Sequence, residues 1–339
     1  MTDTAARSGQ DTRVDEHYDV VIIGAGPAGL AAGLSLVRAR RRTLMIDSNR
    51  PRNAPTLHSH GFITRDGVPP LELRRLGREE FQGYPGGEFH SGLVLAVTAL
   101  DDAEGVARLL VSTRGLRGEP SRVIRSRAVL VVTGQIETLP AFPSVRAWYG
   151  TNLHSCIDCD GYENTGAALA LIGETDDLAH HALVLTQWSS DLIVFTNGVG
   201  TVTARDEAAL LSRGVRVDRR AIQDVVGERG AMTGVQLVDG EVVARSGGFV
   251  RPLSRPAIDF LAELPVALDG AGFVSIDDWS RTNVPGLYAS GDTTRLSSSQ
   301  LMVAAGTGAA AAAAITRDLL GPLHSDAPGA GSVWPPRLP

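Results

Sequence analysis

The feature that most constrains the fold is a glycine-rich turn that follows a short apolar run near the start of the chain. Residues 20–23 read VVII, a β-branched run typical of a strand buried in a parallel sheet. Gly24, Gly26 and Gly29 follow directly and complete the pattern G-x-G-x-x-G. In a strand–turn–helix unit the first glycine permits a tight turn, the second lets the backbone approach a pyrophosphate, and the third lets helix and strand pack closely. The turn therefore predicts an α/β unit that binds a dinucleotide.

The residues around this turn support the same prediction. Pro27 and Ala28 open a helical pattern, so the N-terminus of the helix would face the phosphates of the ligand. A second apolar strand, TLMID, ends at Asp47, about 20 residues further on, where a carboxylate can accept hydrogen bonds from ribose hydroxyls. We therefore expect the residues of the turn, the first residues of the helix and Asp47 to contact a dinucleotide cofactor.

The composition excludes several classes of partner. The chain has 339 residues, a net charge of −6 and 43% hydrophobic residues, which fits two globular domains of ordinary size. It contains no Lys and no basic tract interleaved with aromatic residues, so nothing indicates a nucleic-acid partner. The N-terminus lacks the apolar segment of a signal peptide, and the uncharged stretch 296–316 is rich in Ser, Gly and Thr in its first half. We therefore expect a cytoplasmic protein that is not inserted in a membrane.

The two cysteines of the chain both stand in one segment, HSCIDCDGYE. A C-x-x-C pair can be a redox dithiol, half of a zinc site or an accident of sequence. A zinc site would need two more ligands, and His58, His60 and His154 form no H-x-x-x-H motif. In a reducing compartment such a pair is catalytic or metal-binding rather than structural. The pattern therefore favours a redox dithiol at Cys156 and Cys159 and predicts no metal.

Two polar residues beside the cysteines are candidates for proton transfer. A thiolate is the nucleophile in thiol–disulfide exchange, so each step must lose or gain a proton. Asp160 follows the second cysteine and can carry that proton, and it could equally serve as a helix cap. His154 is either a base or a hydrogen-bonded histidine without a catalytic role.

A segment near the other end of the chain indicates which dinucleotide is bound. The sequence TNVPGLYASGDTTR places an apolar strand before Gly291 and Asp292, and a long Ala-rich helix follows. This segment resembles the second FAD signature of two-domain flavoprotein disulfide reductases. The resemblance implies that Asp292 hydrogen-bonds the ribityl chain of FAD and that Gln300 and Leu301 contact the cofactor.

The order of the motifs extends this resemblance to most of the chain. The segment AVLVVTGQ resembles the strand that closes the FAD domain of these enzymes, which implies cofactor contacts from Thr133 and Gly134. The glycine turn, the motif C-x-x-C-D and the Gly-Asp motif follow one another as in the thioredoxin-reductase-like family. In that family the second cysteine, here Cys159, sits against the flavin, the first, Cys156, exchanges with the substrate, and the following acid moves protons.

The resemblance also implies the domain organisation. The predicted fold class is α/β, with two Rossmann-like, doubly wound domains, and the family forms homodimers. A discontinuous FAD domain would comprise residues 17–139 and 247–322, and a second domain with the C-x-x-C motif would be inserted at 140–246. Residues 1–16 and 323–339 would be tails, the first of them disordered.

The inserted domain departs from a thioredoxin reductase at its own nucleotide motif. After ALALIG the chain reads GETDDLA, in which only Gly173 fits the glycine pattern. Glu174, Asp176 and Asp177 stand where a pyrophosphate would bind, and residues 182–204 contain no Arg or His for the 2′-phosphate of NADPH. We therefore predict that the NADPH site is absent.

Relatives of thioredoxin reductase that lack this site include the dithiol oxidases of gliotoxin- and holomycin-type biosynthesis. The segment NAPTLHSHGFITRDG, which begins at Asn53, resembles their His-rich flavin-side segment and implies cofactor contacts from Asn53 and His60. HSCIDCDGYE shares their trailing Gly-Tyr-Glu, although several of them carry His where this chain has Asp160. The resemblance predicts a dithiol oxidase that forms a disulfide in a small natural-product-type dithiol and passes the electrons to oxygen.

Two other functions stay open at this stage. A disulfide reductase fed by ferredoxin, or by NADPH through an unrecognised site, would suit Asp160, which is the residue that reductases have there. A flavin-binding redox sensor without turnover would explain the missing electron donor but not the well-placed C-x-x-C-D motif.

Overall fold

The computed structural model describes residues 13–100, 107–296 and 298–321. The strands, in chain order, are β1 (Arg13–Ile23), β2 (Thr43–Asp47), β3 (Gly87–Ala99), β4 (Leu109–Gly115), β5 (Arg122–Val131), β6 (Gln135–Thr138), β7 (Leu153–His154), β8 (Leu169–Gly173), β9 (Leu192–Phe195), β10 (Arg216–Asp218), β11 (Ile222–Glu228), β12 (Ala231–Leu237), β13 (Val242–Ala244), β14 (Gly247–Arg251), β15 (Leu253–Pro256) and β16 (Leu287–Ala289). The helices are α1 (Pro27–Arg38), α2 (Pro70–Gln82), α3 (Val145–Trp148), α4 (Ile157–Asp160), α5 (Leu178–Leu185), α6 (Ala204–Leu211) and α7 (Leu301–Asp318), with single 3-10 turns at Asp259–Leu261 and Gly291–Thr293.

The first sheet carries the glycine turn. Strand β1 pairs in parallel with β2 on one side and with β5 on the other, and β16 pairs in parallel with β5. Strand β3 follows β2 in parallel and then pairs with β4, which returns antiparallel to β5, so that the strands close into a ring. Strand β1 begins at Arg13 because it pairs with β5 from that residue onward, so the predicted tail overlaps the strand.

Strand β1 is buried on both faces, which explains its unbroken apolar run. Val21 and Ile23 point into the core inside the ring of strands, whereas Val20 and Ile22 pack against the helical layer formed by α1 and α7. A parallel strand covered on both sides has no polar face, so alternation is absent from its sequence.

The second sheet carries the cysteines and is also parallel. Its order is β10–β9–β8–β14–β7, and helices α5 and α6 cover it. A three-stranded antiparallel sheet, β11–β12–β13, packs on the other side of the second sheet. The two-stranded ribbon β6–β15 lies where the chain passes between the first sheet and the second. The parallel strand pairs of these two sheets confirm the predicted fold class of two Rossmann-like units.

One predicted domain boundary needs correction. The expected division between residues 246 and 247 would assign β14 to the FAD domain, but β14 lies between β8 and β7 in the second sheet. The strand belongs there because its backbone pairs with β7 and β8 in that sheet. Phe249 and Val250 are buried there. We propose that the boundaries lie in the ribbon β6–β15. Residues 1–12 and 322–339 of the predicted tails lie outside the described residues.

The uncharged stretch near the C-terminus forms helix α7, whose alanines pack against α1. Ala311, Ala312 and Ile315 are fully buried in this layer. Among the described residues, the structure contains no helix whose length and apolarity would let it cross a bilayer.

The α1–α7 contact generates a prediction with an internal control. A Cβ atom at Gly308 would lie 2.1 Å from the carbonyl oxygen of Ala28, whereas a Cβ atom at Gly306, in the same helix, would meet no atom within 4 Å. We expect Gly308→Ala to lower the free energy of unfolding by about 1–3 kcal/mol, because the helices must move apart. Gly306→Ala should raise it by about 0.5–1 kcal/mol through helix propensity. Urea unfolding followed by circular dichroism measures both, and equal stability of the two variants would contradict the packing.

Candidate active site

A cavity of about 740 Å³ opens at the carboxyl ends of the parallel strands in the first sheet. In open α/β sheets this edge is where ligands bind. Most of the predicted cofactor residues line the cavity, namely Gly24, Gly26, Pro27, Ala28, Asp47, Asn53, Thr133, Gly134, Asp292, Gln300 and Leu301. Gly29, His60 and Gly291 do not line it.

The three glycines of the turn have different roles in the structure. Gly24 has a φ of +112°, and a Cβ atom there would lie 2.4 Å from the carbonyl oxygen of Val132. A Cβ atom at Gly29 would lie 2.0 Å from the carbonyl oxygen of Gly24. Both glycines therefore allow the protein to pack against itself. A Cβ atom at Gly26 would meet nothing within 4 Å and would project into the open space at the start of α1.

Asp47 is held at the cavity by a residue that the sequence did not reveal. Its Oδ2 accepts a hydrogen bond from the backbone N–H of Ala25 at 2.7 Å, and its Oδ1 accepts one from Arg74 at 2.9 Å. Arg74 is buried and also donates to the carbonyl oxygen of Ala25 at 3.2 Å. Oδ1 also accepts a hydrogen bond from the backbone N–H of Asn49, so Oδ2 is the oxygen that keeps capacity for a ribose hydroxyl.

Asp292 presents an unused acceptor. Its Oδ2 accepts a hydrogen bond from Arg52 at 2.8 Å, whereas its Oδ1 is buried and finds no donor among the described residues. Burial raises the pKa of Asp292, and the charge of Arg52 only partly opposes this effect. Because buried polar atoms in native proteins are nearly always hydrogen-bonded, Oδ1 indicates a donor supplied by a ligand in the cavity.

These features fit FAD. The cavity is large enough for a dinucleotide, the space at Gly26 suits a pyrophosphate at the N-terminus of α1, and Asp292 can accept from a sugar hydroxyl. The N-terminus of a second long helix, α7, also reaches the cavity at Gln300 and Leu301.

The disulfide lies beside this cavity. Cys156 and Cys159 are bonded, with their Cα atoms 5.2 Å apart, at the start of the short helix α4. They line a smaller pocket of about 90 Å³ together with residues of the segment 52–60. Arg52, Asn53, Ser299 and Leu301 line both the pocket and the cavity, so the two spaces adjoin.

The two predicted proton-transfer residues lie together in this pocket. His154 Nδ1 is 3.3 Å from Asp160 Oδ1, and the side chains are only 11% and 14% exposed. His154 sits on β7 and its ring packs against that of Phe249. His60 lines the same pocket rather than the cofactor cavity, because its ring lies between Asp66 and Glu163, 3.6 Å from a carboxylate oxygen of each.

A chain of side chains connects the cofactor cavity to the disulfide loop. Arg52, which bonds Asp292, also donates to Glu137 at 3.1 Å. Glu137 is in turn bonded by the hydroxyl of Tyr149 at 2.5 Å, and that hydroxyl lies 2.8 Å from Ser155 Oγ. Sequence reasoning assigned no role to Arg52 or Glu137, since neither belongs to a motif with characteristic spacing.

The acidic side chains of the degenerate nucleotide loop GETDDLA bind other residues of the protein. Glu174 accepts a hydrogen bond from Asn197 at 2.7 Å, and Asp176 accepts one from Thr201. Asp177 pairs with Arg251 at 2.7 Å. Burial of Asp177 works against its charged form, but the hydrogen bond from Arg251 holds the pKa of this carboxyl below its usual value.

Over residues 13–100, 107–296 and 298–321, no group of three or more His, Cys, Asp and Glu side chains is arranged to hold a metal ion.

Comparison with known proteins gives a consistent family. The sequence profile of the family described as pyridine nucleotide-disulphide oxidoreductase matches residues 18–309. Thioredoxin reductase aclD of Aspergillus oryzae is 27% identical over 286 residues, which cover 81% of this chain and 88% of that protein. The crystal structure of HlmI has a TM-score of 0.82 and 37% identity, covering 89% of this chain and 92% of that one. A putative thioredoxin reductase TrxB from Bacillus anthracis has a TM-score of 0.81 and 34% identity, covering 89% and 98%.

The position of Gly26 gives a test of the cofactor site. A Cβ atom there meets no protein atom within 4 Å. We therefore expect Gly26→Val to leave the free energy of unfolding of the cofactor-free protein within about 0.5 kcal/mol of wild type. The added side chain would occupy the pyrophosphate position, so the affinity for FAD should fall by about a hundredfold or more. Flavin absorbance after dialysis measures retention. A variant that keeps its flavin would show that the pyrophosphate lies elsewhere.

Proposed function

Because the chain belongs to the pyridine nucleotide-disulphide oxidoreductase family, we propose that it is a dithiol oxidase that forms a disulfide in a small-molecule dithiol. The enzyme is an FAD-dependent oxidoreductase that acts on sulfur groups. In the proposed reaction the Cys156–Cys159 disulfide takes two electrons from the substrate, and dioxygen is the final acceptor.

The observation that carries this direction is the contrast between the nucleotide loop after β8 and the disulfide after β7. The nucleotide loop that would admit NADPH is lined by Glu174, Asp176 and Asp177, each of which is hydrogen-bonded within the protein. A pyrophosphate at this loop would meet three carboxylates, and the neighbouring Arg251 is already paired with Asp177. The disulfide, in contrast, lies on a pocket that adjoins the cofactor cavity. Electrons would therefore enter from the substrate.

The pocket supports a small substrate. Its volume of about 90 Å³ admits the thiol-bearing group of a small molecule. The natural-product character of the dithiol rests on the resemblance of residues 53–67 and 154–163 to the segments of the dithiol oxidases. The resemblance to thioredoxin reductases supports a homodimer.

The proposed reaction begins with exchange at sulfur. A substrate thiolate attacks Cys156 Sγ, the Cys156–Cys159 bond breaks, and Cys159 leaves as a thiolate. The second substrate thiolate attacks the substrate sulfur of the mixed disulfide, so that the product disulfide forms and Cys156 is released. His154 and Asp160, which face each other beside the cysteines, would hold the proton lost by a substrate thiol.

The remaining steps restore the disulfide. When bound, FAD supplies a two-electron acceptor for the dithiol and returns the electrons to dioxygen. Cys156 and Cys159 lose two electrons and two protons and form their bond again. Overall, one dithiol and one dioxygen give one disulfide and one hydrogen peroxide.

One observation favours the opposite direction as a second candidate. Asp160 is the residue found in reductases at this position, and its carboxylate lies 3.3 Å from His154 Nδ1. A disulfide reductase with this site would need another electron donor, either ferredoxin or NADPH bound elsewhere.

An anaerobic experiment separates the two directions. We expect dithiothreitol to bleach the absorbance of the bound flavin and NADPH to leave it unchanged. Admission of air should then restore the absorbance and yield one peroxide per flavin. Rapid bleaching by NADPH would contradict the oxidase and support the reductase.

The cysteine nearer to the cofactor in the proposed mechanism can be tested alone. We expect Cys159→Ser to retain FAD but to lose oxidase activity by about a thousandfold or more, because no dithiol can then deliver electrons to the flavin. Peroxide production with dithiothreitol gives the rate, and the flavin spectrum serves as the control for folding. A fully active variant would exclude the dithiol mechanism.

A further inference from the structure

The hydrogen-bonded chain from Asp292 to Ser155 crosses from the first sheet to the second. Arg52 and Asp292 line the cofactor cavity, Glu137 lies on the ribbon strand β6, and Tyr149 follows α3, whose residues pack on the second sheet. The last member, Ser155, immediately precedes Cys156. The chain of contacts therefore ends one residue away from the sulfur that the substrate would attack.

The two carboxylates in this line of hydrogen bonds have little access to water and share one guanidinium as their partner. The side chains of Glu137 and Asp292 are 9% and 14% exposed, and both carboxylates bond the same guanidinium of Arg52. Carboxylates with so little access to water need a partner, because loss of one member of a buried pair is costly. Arg52 is thus fixed at both ends.

The tyrosine acts as a donor within the chain. Burial, and next the charge of Glu137, raise the pKa of Tyr149 above its usual value, so the phenol keeps its proton. A phenol can donate one hydrogen bond, and Tyr149 donates it to the carboxylate of Glu137 at 2.5 Å. The hydroxyl of Ser155 must then donate to the phenol oxygen at 2.8 Å, which completes an unbroken line of hydrogen bonds.

A backbone contact at the same place brings the two segments together. Gly150, next to Tyr149, has a φ of +87°, and a Cβ atom there would lie 2.3 Å from the carbonyl oxygen of Pro55. Pro55 and Arg52 belong to one segment that lines the disulfide pocket. Glycine thus permits the close approach that the hydrogen bonds then hold.

We propose that Tyr149 and Glu137 are positioning residues that hold the disulfide loop against the cofactor cavity, through Ser155 on one side and Arg52 on the other. This inference rests on the proposed function. A fixed loop keeps the sulfurs aligned with the cofactor cavity. Misplacement of reacting atoms by about 1 Å can cost up to a hundredfold in rate.

The test compares two tyrosine hydroxyls. Tyr149→Phe removes the central member of the chain, and Tyr162→Phe is the matched control, because Tyr162 follows the cysteines closely in sequence and is 79% exposed. In anaerobic stopped-flow experiments with dithiothreitol, we expect Tyr149→Phe to lower the limiting rate of flavin reduction by about tenfold. The second-order rate constant at low dithiothreitol should change less than about twofold, since attack on Cys156 does not need the cofactor. Tyr162→Phe should match wild type in both.

A second measurement does not depend on activity. Hydrogen exchange of the backbone amides at 150–156 should become about five- to tenfold faster in Tyr149→Phe, whereas exchange in β8 should stay unchanged. The pH profile of flavin reduction should keep its shape, because the phenol positions the loop and does not ionise. Loss of a limb of that profile would instead identify a proton relay and overturn the positioning role.

A double variant tests whether the residues act as one unit. We expect Glu137→Gln alone to slow flavin reduction, and the double variant Tyr149→Phe/Glu137→Gln to be no slower than the slower single variant. If wild-type flavin is not reduced by dithiothreitol at all, the proposed function fails. If wild type is reduced and Tyr149→Phe reacts at the same limiting rate, only the positioning role is overturned.

Discussion

The close packing of α1 across the ends of β1 and β5 is the constraint on which the rest of the structure depends. Gly24 and Gly29 allow backbone contacts that any side chain would prevent, and Gly308 lets α7 lie equally close on the other side of α1. These contacts direct the N-termini of two long helices to one edge of the sheet and leave the space at Gly26 open. A cavity that attracts a negatively charged dinucleotide follows from that packing.

The unit built on the second sheet adds the sulfur chemistry to this cavity. The disulfide lies on a small pocket that shares a wall with the cavity, and a line of hydrogen bonds from Asp292 to Ser155 connects them. In the nucleotide loop of the second sheet, by contrast, the carboxylates bind neighbouring side chains of the protein, namely Asn197, Thr201 and Arg251. The polar groups of this loop are therefore already paired within the protein, and this is the physical basis for proposing that electrons enter through the disulfide.

The sequence predicted those parts of the site that depend on local spacing. The glycine turn, the Gly-Asp motif and the C-x-x-C pair are each encoded within a few residues, and the structure places Gly26, Asp292 and Cys156 at adjoining spaces. Arg52, Glu137 and Arg74 could not be predicted, because their hydrogen-bond partners lie 12 to 247 residues away in the chain or depend on how the two sheets meet. The boundary at β14 was wrong for a similar reason, since strand order in a parallel sheet is decided by long-range pairing.

The central claim is that the resting protein already holds its disulfide against the cofactor, in the arrangement used for catalysis. The most direct measurement is a crystal structure of the FAD-loaded protein. We expect Cys159 Sγ within about 4 Å of the flavin ring, with the contacts from Arg52 to Ser155 intact. A structure in which the second sheet is rotated, with the disulfide remote from the flavin and the GETDDLA loop open towards it, would contradict the claim.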